Sequence, residues 1–173
     1  MFVKILLILG IMMFSKSFGY AVRGVLYIAT RQAEKQYVQV EEIAAQLVAP
    51  RHFMGKILKK LVKEKVLLSS KGPMGGFTIH KDTLQLPLIR LIGITDGLDL
   101  FHTCVLRLDE CNASNPCPMH HQIAKVNANL KSILSKTTVE DLLNGDSPDF
   151  IKTLSTNAGT ENRIKKTIKE RNH

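Results

Sequence analysis

Apolar residues return at helical intervals through most of the first two thirds of the chain. From Ser17 to Ala33 they fall at Phe18, Ala21, Val22, Val25, Leu26, Ile28 and Ala29. That spacing predicts an amphipathic helix, with Ser15 or Ser17 as its N-cap. Lys35-Gln36-Tyr37 is a short polar break. Val40, Ile43, Ala44 and Leu47 then keep the i, i+3, i+4, i+7 rhythm of a two-turn helix. Pro50 marks the start of a third helix, whose stripe is Phe53, Met54, Ile57, Leu58 and Leu61. Its opposite face reads Arg51, His52, Gly55, Lys56, Lys59, Lys60 and Lys63. Val66 to Ser69 reads as a strand and Phe77-Thr78-Ile79 as its return. Lys71-Gly72-Pro73-Met74-Gly75-Gly76 between them fits neither helix nor strand interior. Leu84 to Gly97 is apolar and helical, with Pro87 in the first turn. Ile123, Val126, Leu130 and Ile133 form a two-heptad seam on a helix from about Met119 to Ser135. Thr138 with Asp141 approximates a capping box for a last short helix, Val139 to Leu143, ended by Asn144-Gly145.

The predicted fold class is mainly α with a small β-hairpin wing. Helix, short helix, basic helix and hairpin make a winged helix-turn-helix, followed by a long C-terminal helix. The organisation read from this is a doubtful extension over 1–12, a DNA-binding domain over 13–83, and a region over 84–145. That last region comprises a linker helix, a loop over 101–120 and a dimerisation helix. Residues 146–173 read as a flexible basic tail. The seam can pack within its own chain or pair with a second copy. Two half-sites on DNA favour the dimer, through Ile123, Val126, Leu130 and Ile133.

Charge changes this picture from a fold to a partner. The chain has 173 residues, 45% of them apolar, and a formal charge of +9, which for a single small domain points to a polyanion. Between Arg51 and Lys71 stand seven basic residues and one acid, Glu64. Such a face displaces counterions from phosphates, and an α-helix fits the major groove, where base edges differ. Arg51, His52, Gly55, Lys56, Lys59 and Lys60 are the candidates on the helix. Lys71, Gly72, Gly75 and Gly76 are those in the wing, where glycine lets backbone approach a phosphate. Tryptophan is absent and aromatics are 6%, which excludes a stacking platform for single strands. The N-terminal run Phe2–Phe14 has about ten apolar residues, short of the roughly 20 of a membrane span. It reads either as the core of a signal peptide or as a start placed upstream of Met12 or Met13.

The three cysteines all lie between Cys104 and Cys117, with gaps of six and five residues and His120 and His121 just beyond. An odd count excludes a closed disulfide framework. Thiolates are soft ligands that suit an iron–sulfur cluster or zinc, and three thiolates with an imidazole also make a tetrahedral zinc site. A thiol enzyme using one of these cysteines with a histidine, a zinc-stabilised structural protein, and three free buried thiols remain open on the residues alone.

Met13 to Gly145 resembles the IscR/NsrR-type winged-helix regulators of the Rrf2 family. The resemblance is carried by MFSKSFGYAVRGVLYIA, by VEEIAAQLVAPRHFMGKILKKLVKEKVLLSSKGPMGGF with its Gly-Pro-x-Gly-Gly-aromatic wing signature, by KTTVEDLL, and by the cysteine triad. It implies a homodimeric, cytoplasmic transcription regulator rather than an enzyme, binding palindromic double-stranded operator DNA, with no membrane and no small-molecule substrate. Its iron–sulfur cluster, 2Fe–2S rather than 4Fe–4S, would sense cluster supply, nitric oxide or redox state. The metal ligands implied are Cys104, Cys111, Cys117 and His120, with His121 or His102 as substitutes for His120. The aspartate that reaches the partner's cluster in NsrR-like chains falls at Gly19, which cannot ligate. A cluster-free thiol-redox regulator is the family's other form. The resemblance also favours Met13 as the natural start.

Overall fold

The computed structural model describes residues 14–145; the extension over 1–12 and the tail over 146–173 lie outside them. The first helix, α1 (Lys16–Arg31), begins where Ser15 Oγ accepts from the Phe18 amide. The Asp96 carboxylate in turn accepts from the Ser15 amide at 2.9 Å. One face of α1 is buried through Ala21, Gly24, Val25, Leu26, Tyr27 and Ile28. Gly24 is where a side chain would crowd: a Cβ there meets Leu58 at 3.4 Å and the Met54 sulfur at 3.7 Å.

Helices α2 (Val40–Gln46) and α3 (Arg51–Lys63) form the helix-turn-helix. Glycine, the usual residue in such a turn, is replaced by Val48 at φ 48°. The cause is a Schellman closure of α2, in which Ala49 donates to Ala44 and Val48 to Ala45, putting Val48 at the left-handed position. Helix α3 ends the same way: Val66 donates to Leu61, Lys65 to Val62, and Lys65 sits at φ 59°. Pro50 is the residue before α3 rather than its first turn. Met54, Ile57, Leu58 and Leu61 are buried, and Phe53 is half-buried against the Tyr20 ring.

Strands β1 (Leu67–Ser70) and β2 (Gly76–Ile79) pair antiparallel, with Leu67 opposite Ile79 and Ser70 opposite Gly76. A third piece was invisible in the polar break. Val38 exchanges two backbone hydrogen bonds with Phe77, at 2.9 and 2.8 Å, and roots the wing in the helical core.

The apolar run from Leu84 does not start a helix. Helix α4 spans Leu88–Thr95, with Pro87 before it. The residue preceding a proline is pushed away from helical angles, and Leu86 lies outside any helix. Leu84 and Leu86 carbonyls instead accept from Glu140 and Val139, and the Leu88 amide donates to Thr137. This strap ties the segment to the far end of helix α5 (His120–Lys136) and to α6 (Val139–Leu143). Thr138 and Asp141 form the reciprocal capping box expected for α6. One buried cluster runs from Ala21 through Leu91 and Phe101 to Val139, crossing residues 83 and 84 without a break. Among the described residues, no helix is long and apolar enough to cross a membrane.

Candidate DNA face and cysteine centre

The two predicted faces are separate parts of this fold. On α3, Arg51, His52, Lys56, Lys59 and Lys60 are all exposed, as are Lys71 and Gly72 at the wing. Among the ion pairs of the described residues, none engages Lys56, Lys59, Lys60 or Lys71. Glu64, the one acid in this stretch, faces Arg90 at 3.6 Å. The lysine charges are therefore left uncompensated toward solvent, the condition for counterion release on a phosphate backbone.

Arg51 differs from the lysines. Its guanidinium is held by Glu41 on α2, with Nε donating at 2.7 Å and Nη2 donating to the same oxygen. A backbone hydrogen bond within Glu41, and then the Arg51 contact, keep the Glu41 carboxyl below its ordinary range. Gly55 is half-buried, and a Cβ there would touch Val40 at an ordinary 3.8 Å.

The wing glycines split into two kinds. A Cβ on Gly75 would fall 2.4 Å from the Ser70 carbonyl oxygen, and one on Gly76 2.4 Å from that of Val38. Chain crossing inside the protein thus requires both. Gly72, at φ 104° with nothing within 4 Å, is the glycine that faces outward. Residues unnoticed in the sequence complete this face. Gln39 donates to the Pro73 carbonyl at 2.8 Å and pins the wing tip to α2, and Met74 is 89% exposed beside it.

The cysteines sit in the irregular segment between the 3-10 turn Asp99–Phe101 and α5. Their three sulfurs lie within 4.8 Å of one another, although five and six residues separate them in sequence. Cys104 Sγ is 3.8 Å from Cys117 Sγ. Cys111 Sγ is 3.3 Å from His120 Nδ1, so the first residue of α5 joins the group. Two thiolates bound to one tetrahedral metal at about 2.3 Å stand roughly 3.7 Å apart, and a thiolate and imidazole about 3.5 Å apart. Both close pairs match these values, and the donor set is that of soft and borderline metals.

Backbone hydrogen bonds from Leu108, ahead of that from Leu106, hold the Cys104 thiol below its usual range. Arg107, between them, sits at φ 54°. The Cys117 backbone pulls Cys111 the same way. Partial burial, hydrogen bonding to Cys117 and Cys104, and the charge on Cys104 outweigh it and leave Cys111 raised. The site thus favours a thiolate at Cys104 over one at Cys111, and ionised thiol is what a metal binds.

A cavity of about 150 Å³ opens over the triad, lined by His102, Cys104, Cys117, His120, Ile123 and Asn127 among others. His102 lines it and His121 is exposed, its ring edge-on to His120 at 5.3 Å. Asn127 Nδ2 donates to the Phe101 carbonyl at 2.9 Å and fastens α5 to the start of the loop. Gly19 is exposed on α1, with nothing within 4 Å of its Cβ position.

The predicted seam divides in two. Ile123 and Leu130 are half-buried on the inner side of α5, and Leu134, absent from the seam, is the buried residue of the helix. Val126 and Ile133 point out, 52% and 53% exposed. A helix turns 3.6 residues at a time, so a seam four positions deep straddles the inner and outer faces.

The family described as Rrf2, iron-dependent transcriptional regulator, matches residues 14–145. A protein of Aquifex aeolicus assigned as an HTH-type transcriptional regulator is 32% identical over 135 residues, 77% of this chain and 92% of that one. An rrf2-like HTH-type regulator assigned in Rhodobacter capsulatus is 27% identical over 143 residues, 79% of this chain and 95% of its own. Among solved structures, CymR, the global cysteine regulator of B. subtilis, superposes with a TM-score of 0.62 at 17% identity, covering 77% of this chain and 97% of CymR. IscR of T. potens gives 0.60 at 17% identity, covering 77% and 87%. These two share the winged-helix fold described above. The relatives and neighbours are regulators of transcription, not enzymes.

Proposed function

The chain belongs to the Rrf2 family of transcriptional regulators, and on that premise we propose that it works as a homodimer on palindromic operator DNA under the control of an iron–sulfur cluster. The observation that carries this reading is the convergence of Cys104, Cys111 and Cys117 to within 4.8 Å, with His120 Nδ1 beside them. That donor set lies where the winged-helix core is joined to α5. A cluster there, 2Fe–2S on this reading, supplies a centre that oxidants, nitric oxide and iron shortage can dismantle.

The chain's own residues do the rest. Helix α3 lies in the major groove, with Lys56, Lys59 and Lys60 against phosphates and His52 near base edges at its N-terminal end. Lys71 and the outward-facing Gly72 follow the adjacent backbone. Arg51 reaches DNA as a Glu41-bound pair rather than as a free cation. The uncovered Val126 and Ile133 pair two copies across a two-fold axis that matches the palindrome. Cys104, Cys111, Cys117 and His120 grip the cluster and order the loop, which fixes the N-terminal end of α5. Such a protein acts in the cytoplasm, with DNA as its target and with neither a membrane nor a small-molecule substrate involved.

A second reading has its own observation. The 3.8 Å Cys104–Cys117 separation fits one tetrahedral zinc as well as one iron of a cluster. Anaerobic purification with iron, sulfide and zinc assays separates the two. Brown protein with visible absorption, bleached by nitric oxide with a change in operator affinity, supports the cluster. Colourless protein with stoichiometric zinc overturns it. Cys104→Ser, Cys111→Ser and Cys117→Ser are each expected to abolish iron retention. His120→Ala weakens it, because three thiolates still hold.

A further inference from the structure

The triad is not symmetric. Cys111 has the His120 imidazole as its near neighbour at 3.3 Å, whereas Cys104 and Cys117 have each other at 3.8 Å. We propose that Cys104 and Cys117 are a covalent modification site: in the metal-free protein, hydroperoxides close them into a disulfide and leave Cys111 as the free thiol. The inference concerns the same site as the function proposed above, but it needs only the sulfurs and no metal.

A disulfide bond is about 2.05 Å long, so the two sulfurs must close by less than 2 Å. The segment from Thr103 to Met119 contains no regular helix or strand, and most of its side chains are exposed. Cys104 lines the cavity over the triad, and Cys117 lines both that cavity and a second hollow of about 460 Å³ beside Asp109, Glu110 and Pro116. A small oxidant therefore reaches the pair. All three cysteines are free and half-buried, so none is shielded by a core.

The chemistry balances with the hydroperoxide as the sole oxidant. The thiolate of one member attacks the terminal peroxide oxygen; the O–O bond breaks, a sulfenic acid forms, and the alcohol or water leaves with one proton. The other thiolate attacks that sulfur; the S–S bond forms, the S–O bond breaks, and hydroxide leaves to take up the second proton as water. Two thiols are oxidised by two electrons and one peroxide is reduced. Three thiols allow three possible disulfides; Cys104 and Cys117 start 3.8 Å apart, while Cys111 has His120 at 3.3 Å, and this is the pairing proposed. Closure consumes two of the three sulfur ligands, so the oxidised chain cannot be reloaded with metal until a thiol reductant reopens it. The site then has two metal-free states, one ready to reload and one locked.

The test uses the full chain, stripped of metal by a chelator under anaerobic conditions and then treated with hydrogen peroxide. Remaining thiols are alkylated and tryptic peptides are sequenced by mass spectrometry. Cleavage after Arg107 separates Cys104 from the other two. The expected product is a Cys104–Cys117 linked peptide with the alkyl group on Cys111, and iron and sulfide uptake restored only after dithiothreitol. Cys111→Ser should form the same link, whereas Cys104→Ser and Cys117→Ser, each with two thiols left, should give no intramolecular link and stop at sulfenic or higher oxidation states. A link through Cys111, a disulfide between chains, or three alkylated cysteines after treatment overturns the proposal. Because the readout is covalent, a chain that forms this bond yet never takes up a cluster refutes the function proposed above and leaves this inference standing.

Discussion

Val126 and Ile133 offer a direct test of assembly, because the protomer itself makes little use of them. They are 52% and 53% exposed on the outer face of α5. Replacing both by serine should therefore leave the fold intact. Complete burial of a Val or Ile side chain contributes about 1.5–3 kcal/mol, and roughly half of each side chain is still available, so each contributes about 1 kcal/mol at an interface. In a two-fold dimer every substitution acts twice, and four side chains together contribute about 4 kcal/mol. That corresponds to a factor of roughly 10³ in the dimer dissociation constant. Sedimentation equilibrium over a concentration series reads this number directly, and far-UV circular dichroism checks the fold. The double variant should be monomeric where the wild type is dimeric, and its operator affinity should fall because the two half-sites are no longer linked. A double variant that associates like wild type removes the outer face of α5 from the interface. Leu130→Lys is a poorer probe: Leu130 packs against its own core, so folding and association would fall together.

Three further outcomes follow from local geometry. Val48→Gly relieves a β-branched residue from left-handed angles, worth about 1–2 kcal/mol, against about 0.5–1 kcal/mol of glycine entropy. The net gain should raise the calorimetric midpoint by about 4 °C, and an unchanged or lower midpoint contradicts the strain. Lys56→Ala or Lys59→Ala should lower the slope of log affinity against log salt by about one each, measured by operator titration. An unaltered slope means that the lysine meets no phosphate. Asp141 accepts from the Thr138 amide, which with the Thr138 hydroxyl holds its carboxyl below the ordinary 3.8. A depressed folded value stabilises above the unfolded value and is lost as pH falls through the folded one. The stability gap between wild type and Asp141→Asn, from denaturant titration in reductant, should be present at neutral pH and close below about pH 4.

Periodicity was enough to find α1, α2, α3, α5 and the wing, because each buries one face in a common core. It failed where a long-range partner overrides local pattern. Leu84 and Leu86 have helical spacing, yet Leu84 closes a 3-10 turn, Pro87 follows Leu86, and the carbonyls of both accept from the backbone of Glu140 and Val139. Val38 gave no sign in a polar break that it would pair with Phe77, 39 positions away. The cysteine spacing pointed to a site and left its use open; resemblance nominated His120, and the fold brought its ring to Cys111. Arg51 read as one more basic residue of the DNA face, because Glu41, ten residues earlier on another helix, is its neighbour only after folding. Gly75 and Gly76 read as room for DNA, and the nearer cause is room for the protein's own carbonyls.

Helix α5 is held unequally at its two ends. At Lys136 it runs into the strap and the buried Leu134 and Val139; at His120 it is held by the cysteine loop and the Asn127–Phe101 hydrogen bond. A stiff rod with one firm end and one yielding end is a lever whose fulcrum is the strap. Its 17 residues make an arm of about 25 Å, so a shift of roughly 2 Å at the cysteines turns it by about 5°. The output of the loop is then an angle rather than a distance, and residues along the arm are displaced in proportion to their separation from the strap. Val126 swings through more than twice the arc of Ile133. Two such arms back to back would convert a small change at each loop into a change of tilt between whole protomers, with little rearrangement inside either core.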